Sequence, residues 1–363
     1  MDKQLFKIRE NNKFGFMNKA GEVVIEPQYF KVEDFHKGFA NVTFNNKPVP
    51  LDALGRLLMK HLFNFVGKFE EHKARARLVA KWGYIDERGS LAIDVQFDHA
   101  EKFSEGLAAV KVEGLWGFIN HQGDYVITPK YYAVGHFSHG MAPVLFEQDG
   151  QFGYIDNDGK VVIAPAFDHA YSFQSALAVV EQDGLWGYID IKGNYAVKPQ
   201  FDIPANPFYG KFHDDMAVIL QDNSYGYIDN SGNIVQVPLY SFAGEFSEGL
   251  GLIKINDKYG FIDKEAKLAI HPTYEYATRF SEGLSAVQRD GKWGYIDTKG
   301  KTVIPFQYDI ADPFKDGLAL VEQDDIWTYI DDNGDAIWQE TLNELDGPMR
   351  VEDDNSRKEA TLF

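Results

Sequence analysis

Short apolar runs separated by turn residues fill the chain. Residues 107–129 show the pattern at its plainest. Leu107-Ala108-Ala109-Val110-Lys111-Val112 is β-prone and partly alternating, which predicts a first strand over 107–112. Glu113-Gly114 is a tight-turn pair, matched elsewhere by Asp183-Gly184 and Asp290-Gly291, the dipeptide expected in a two-residue hairpin. Trp116 to Asn120 reads as a second strand. Asn120-His121-Gln122-Gly123 reads as another turn, with the Asx side chain holding the backbone and glycine taking positive φ. Tyr125-Val126-Ile127 is the third strand, and Pro129 is expected to stop it. Side chains alternate faces along a strand. Trp116, Phe118 and Asn120 therefore share one face, and Gly117 and Ile119 the other. Both faces are apolar near the centre, so both are expected to be covered by neighbouring units.

The same unit recurs. An aromatic-Gly-aromatic-Ile-Asp motif stands at Phe14-Gly15-Phe16-Met17-Asn18, Trp82-Gly83-Tyr84-Ile85-Asp86, Trp116-Gly117-Phe118-Ile119-Asn120 and Phe152-Gly153-Tyr154-Ile155-Asp156. It returns at Trp186, Tyr225, Tyr259 and Trp293, and ends as Trp327-Thr328-Tyr329-Ile330-Asp331. A diverged copy, Pro48-Val49-Pro50-Leu51-Asp52, lies midway between the first two, which makes ten. Successive intervals are 34, 34, 34, 36, 34, 39, 34, 34 and 34 residues. A phenylalanine before a Ser-Glu-Gly-like turn keeps the same period, at Phe35, Phe69, Phe103, Phe137, Phe173, Phe212, Phe246, Phe280 and Phe314. Self-similarity of this kind marks a tandem array in which each unit needs its neighbours to bury its core.

These motifs, over roughly residues 5–340, resemble the WG-repeat (KWG-repeat) family of bacterial proteins, named for the Trp-Gly pair. The resemblance implies a β-rich tandem array and carries no family-wide catalytic residues. Pro48-Val49-Pro50 and Thr328 depart from the pattern, so those two units are expected to be distorted. The fold class expected is all-β: about ten three-stranded antiparallel meanders of ~34 residues in one array over residues 1–340. Residues 341–363 are read as a C-terminal cap and charged tail. Ten three-stranded units match neither the strand number nor the blade number usual in propellers. Every unit is also complete in sequence. An open, curved superhelix is therefore favoured over a closed propeller.

Composition narrows the function classes. The 363 residues contain no cysteine, which excludes disulfides, Cys-based zinc sites and a Cys nucleophile. Formal net charge is −19, which argues against nucleic acid as a partner. The charge is lopsided: residues 1–120 carry +2 and residues 121–363 carry −21. No run approaches the ~18 apolar residues of a membrane helix. The start, Met1 to Lys7, has no apolar signal-like core, so a cytoplasmic, non-membrane protein is expected.

No phosphate-binding loop, dinucleotide fingerprint, HExxH or Gly-x-Ser-x-Gly motif occurs. The Asp or Asn closing each motif recurs in all ten units. It is therefore read as a turn cap rather than a catalytic carboxylate. His136 and His139 flank a turn and are not read as metal ligands. Neither an enzyme, a metal nor a cofactor is expected. The tryptophans of the Trp-Gly slot, which interchange with Phe and Tyr, are read as core.

The acidic first hairpin turns of units five to ten are the candidate binding residues: Glu147, Asp149, Glu181, Asp183, Asp222, Asp257, Asp290, Glu322, Asp324 and Asp325. Equivalent turns of a regular array lie along one edge, so these are expected to form a negative rim. A second acidic series, Glu105, Glu248, Glu282 and Asp316, follows the repeated phenylalanine. The five-residue insertion over 203–210, with Phe208 and Tyr209, is a second candidate contact. The function expected is a monomeric, non-enzymatic scaffold whose acidic rim engages a basic protein, such as a toxin effector masked by a cytoplasmic immunity protein. The alternative is a glycan- or peptide-binding module that uses exposed aromatics.

Overall fold

The computed structural model describes residues 4–58, 63–174, 176–202 and 210–341. No helix occurs among them, and so none is long and apolar enough to cross a membrane. They form ten antiparallel sheets in chain order, one for each repeat: one of three strands, one of two and eight of four. The tandem all-β array expected from the repeat is what the structure shows. Contacts group the chain into two compact units. The first comprises residues 1–7, 13–18 and 23–200; the second comprises 8–12, 19–22 and 201–363.

Each regular sheet contains the expected meander and adds a short leading strand. In residues 99–131 the strands are His99–Ser104, Leu107–Val112, Leu115–Ile119 and Tyr125–Tyr131, hydrogen-bonded in that order. The leading strand comes from the segment read from sequence as a connection.

Pro129 does not end the third strand. Trp116 pairs with Tyr131 and Phe118 with Ile127, so Gly117 alone faces residues 128–130. The strand bulges outward at the proline and then continues, which is how a sheet tolerates a residue without an N–H. The bulge explains the glycine. A Cβ on Gly117 would lie 2.5 Å from the Ile127 carbonyl oxygen and 2.6 Å from the Pro129 nitrogen. Gly187 meets Val197 and Pro199 in the same way, and Gly260 meets Ile270 and Pro272.

The departure at Thr328 follows from this contact. In the last sheet Thr328 pairs with Gln339 and Tyr329 with Trp338, with no extra residues between. Without a bulge there, a Cβ fits. In the second repeat, Phe39–Phe44 and Lys47–Asp52 pair with each other, and Leu57 bridges Leu51 at the start of the third-strand segment. The Pro50 carbonyl accepts the Leu58 N–H. Val49 and Leu51 remain buried, and the unit keeps its core.

Sheets meet face to face. The aromatic face of one lies on the small, branched face of the next: Trp82, Tyr84, Ile93 and Phe97 against Ala108, Val110 and Ile119. Trp293, Tyr295 and Ile304 sit likewise on Ala319, Val321 and Ile330. The central ring of seven motifs also touches the turn phenylalanine that follows, with centroids 4.9 Å apart for Tyr84–Phe103, 4.8 Å for Phe118–Phe137 and 5.0 Å for Tyr295–Phe314. Of the slot tryptophans, Trp82, Trp186, Trp293 and Trp327 are buried, as their interchange with Phe and Tyr implies, and Trp116 is half-buried.

The glycine contact predicts that Gly187→Ala lowers unfolding stability by about 1–3 kcal/mol through overpacking. Thr328→Gly, at the site without a bulge, should lower it only by the usual ~0.5–1 kcal/mol of a strand glycine. Urea denaturation of the two variants distinguishes them. A Gly187→Ala protein as stable as the wild type would remove the account of the motif.

Candidate protein-interaction surface

The first hairpin turns owe their residues to backbone conformation. Gln182 pairs with Leu185, which leaves Asp183-Gly184 as a two-residue turn. Both have positive φ, 55° and 75°. The twist of the strands favours this mirror-image turn, and Asn, Asp and Gly tolerate it best. Asp222-Asn223, Asn256-Asp257, Asp290-Gly291 and Asp324-Asp325 adopt the same left-handed pair. So do Asn11-Asn12 and Asn45-Asn46, which carry no charge. Asparagine therefore satisfies the backbone as well as aspartate does, and the charge of the later turns is not a requirement of the fold.

Within the first compact unit, Glu147, Asp149 and Asp183 are exposed, and Glu181 is half-buried. Glu147 and Asp149 lie in a lengthened hairpin closed by Leu145 pairing with Phe152; the two extra residues leave strand parity intact. Glu181 is not in its turn. It stands in the strand Leu177–Gln182, opposite His169 on one side and Trp186 on the other. Within the second unit, Asp222, Asp257, Asp290, Asp324 and Asp325 are exposed. Glu322, like Glu181, is a half-buried strand residue, opposite Ile310 and Trp327. Asp257 pairs with Lys254 at 3.2 Å. Phe208 and Tyr209 lie outside the described residues.

The acids that follow the repeated phenylalanine have a structural task. Glu105 accepts the N–H groups of His139 and Gly140, at 2.8 and 2.9 Å, in the corresponding turn of the next repeat. Glu71 serves Gly106, Asp214 serves Gly249, Glu248 serves Gly283 and Glu282 serves Gly317. Each is a staple between successive sheets, which gives Glu105, Glu248 and Glu282 of the second acidic series a structural role.

A further set of acids escaped the sequence reading. Asp168 accepts the Asp183 N–H at 2.8 Å, Asp202 that of Asp222 at 2.7 Å, and Asp309 that of Asp324 at 3.0 Å. Glu275 does the same for Gly291 at 2.9 Å. They support the first hairpin turn from the end of the preceding third strand. The available signal was an acid after the last aromatic of five units: Phe97-Asp98, Phe167-Asp168, Phe201-Asp202, Tyr274-Glu275 and Tyr308-Asp309. Lys292 bonded to Asp309, with the Asp324 N–H, holds the Asp309 carboxyl below the usual range. Lys81 and the Glu113 N–H do so for Asp98.

The recurring Asx residue caps the second turn as expected. Asp86 Oδ1 accepts from Arg88 and Ser90, Asp190 Oδ1 from Lys192 and Asn194, and Asp297 Oδ1 from Lys299 and Lys301, all at 2.8–3.0 Å. Asn120 makes the same two bonds without a charge. Burial raises the Asp190 carboxyl, but the hydrogen bonds from Asn194 and Lys192 outweigh it and hold the group below the usual range.

The WG containing repeat is matched at residues 14–47, 82–116, 116–148, 152–186, 186–224, 225–259, 259–293 and 293–327. No curated protein matches the chain. Among solved structures, the chain is similar to a eukaryotic initiation factor at 14% identity, over 83% of this chain and 95% of that one, with a TM-score of 0.52. It is also similar to a streptogramin B lyase, at 14% identity over 71% and 96% of the two chains, TM-score 0.34. A third is BamB from Moraxella catarrhalis, at 10% identity over 92% and 93%, TM-score 0.33. At these identities the first likeness concerns the fold alone, and the two lower scores carry no argument.

A carboxyl with a lowered folded-state value stabilises the protein above its unfolded value, and the contribution is lost as pH falls through the folded value. Asp190→Asn, which keeps the acceptor oxygen, should therefore stay folded and lose less stability than wild type below about pH 4. Asp190→Ala should lose about 0.5–1.5 kcal/mol at neutral pH. Urea titrations at pH 7 and pH 3.5 check both; an Ala variant indistinguishable from wild type would contradict the cap.

Proposed function

The chain belongs to the family of WG containing repeats, and on that footing we propose that it is a non-enzymatic scaffold whose acidic hairpin turns engage a basic protein. The observation that carries the reading is the choice of residue in those turns. Asn11-Asn12 and Asn45-Asn46 hold the left-handed pair without charge, yet the turns at 183, 222, 257, 290 and 324–325 carry aspartate on exposed positions. Charge that the backbone does not require is charge available to a partner. Exposed carboxylates of one sign steer encounter and set partner choice more than they add affinity. The partner class that fits is a compact basic effector, and the concrete role proposed is that of a cytoplasmic antagonist or immunity protein that masks it.

One observation favours the glycan reading as second. Tyr259, Tyr276 and Trp293 form a near-parallel run, with ring planes 27° and 25° apart, and Tyr276 is 41% exposed. Flat, accessible rings are what a sugar face stacks on.

Asparagine is the informative substitution, because lysine would strain a left-handed turn. Asp222, Asp257, Asp290, Asp324 and Asp325 all changed to Asn should fold as wild type, and should associate at least about tenfold more slowly with a polylysine peptide at low salt. The wild-type rate should fall as salt rises. The matched control neutralises five exposed acids elsewhere, Glu22, Glu26, Glu87, Asp94 and Asp158, and should change the rate little. Equal slowing in both variants would reduce the turns to a share of the overall charge. Salt-independent binding of an oligosaccharide, lost in Tyr276→Ala, would favour the second reading.

A further inference from the structure

The last repeat departs from the others at one more place. In the regular sheets the Trp-Gly slot pairs across the bulge with an aromatic residue: Trp82 with Phe97, Trp116 with Tyr131, Tyr259 with Tyr274 and Trp293 with Tyr308. In the last sheet Glu340 occupies that place, its N–H donating to the Trp327 carbonyl at 2.9 Å. A glutamate where an aromatic belongs is costly unless it is paired, and Glu340 is 7% exposed.

Its partner comes from the other end of the sequence. Among the described residues, 8–12 and 19–22 pack with 201–202 and 210–341 in the second compact unit. Arg9 donates from Nε to Glu340 Oε1 and from Nη2 to Oε2, both at 2.8 Å. This two-pronged geometry is the strongest a carboxylate can receive from a side chain. The guanidinium lies 4.5 Å from the centre of the Trp327 ring. Arg9 Nη2 also donates to the Asp325 carbonyl at 3.1 Å. A second contact accompanies it. Gly21 lies against Ile337 of the last repeat, as Gly300 lies against Ile270 and Gly334 against Ile304 between successive repeats.

We infer that Arg9 and Glu340 form a latch that matches the first repeat to the last and holds the Asp324-Asp325 turn in place. Ordinary joints between repeats rest on apolar rings, small side chains and the carboxylate staples, which recur from repeat to repeat. This joint adds a buried charge that only a correctly placed cation satisfies. Removing Arg9 leaves the Glu340 charge buried without its counter-charge, which costs far more than losing a surface pair. The hydrogen bond to the Asp325 carbonyl ties the latch to one of the charged turns, so opening it would free that turn along with the first strand.

The test is hydrogen exchange measured by mass spectrometry on the full chain, together with thermal unfolding. Arg9→Glu and Glu340→Arg should each raise exchange at least about tenfold in both segments, residues 6–10 and 326–330, as local opening predicts. The double exchange, Arg9→Glu with Glu340→Arg, should restore protection to within about threefold of wild type. If the charge-reversed singles do not fold, Glu340→Gln and Arg9→Lys carry the test, and each should raise exchange in both segments. A double exchange no better protected than either single, or conservative variants with wild-type exchange in both segments, would overturn the latch. The readout is protection rather than binding, so it stands or falls separately from the acidic turns.

Discussion

Within each compact unit the structure depends on one contact between neighbouring sheets: the aromatic face of one lies on the small, branched face of the next. A single such sheet is marginal alone, because either face left open exposes apolar side chains to water. Stacking solves this for both faces at once. The alternation within each motif supplies the two faces. Tyr84 and Trp82 point one way, and Ile85 the other, into the neighbour behind it. The ring pairs near 5 Å, Tyr84–Phe103 and Tyr295–Phe314 among them, fix how each sheet seats on the next. Stability in such an array is close to a sum over units and the joints between them.

The glycine of the motif belongs to a different constraint. It makes room for a third strand that bulges at a proline, and it disappears where the bulge does. Thr328 and the unbulged pairing of Tyr329 with Trp338 occur together. The bulge also has a protective effect. The third strand is the edge of its sheet, and its first residues include exposed aliphatics such as Val161, Val162 and Leu268. An edge of that kind invites pairing with another chain, and a proline bulge blunts it.

Much of this was legible in the sequence, because period and alternation are local signals. Ten motifs became ten sheets, and the capping role of Asp86, Asn120 and Asp190 followed from Asx chemistry alone. The leading strand was not legible: two residues such as Ala133–Val134 carry no periodicity. Pro129 misled because the rule for proline in strands leaves out bulges until the pairing is known. The acids were hardest to read. Glu248, Asp257 and Asp309 look alike in sequence, yet one staples two sheets, one is paired to a lysine in an exposed turn, and one supports a turn from behind. Only partners separate them, and partners are set by the fold. Glu340 illustrates the same limit at long range, since its arginine lies 331 residues away.

The claim at the centre of the account is that exposed turn carboxylates, rather than the fold's own acids, meet the partner. Zero-length crosslinking of carboxylates to lysines, with the bound basic partner mapped by mass spectrometry, tests it most directly. The account predicts crosslinks from Asp222, Asp257, Asp290, Asp324 and Asp325, with none from the staples Glu248 and Glu282. Crosslinks concentrated on the edge-strand acids Glu26 and Asp94, with the hairpin turns unmodified, would contradict it.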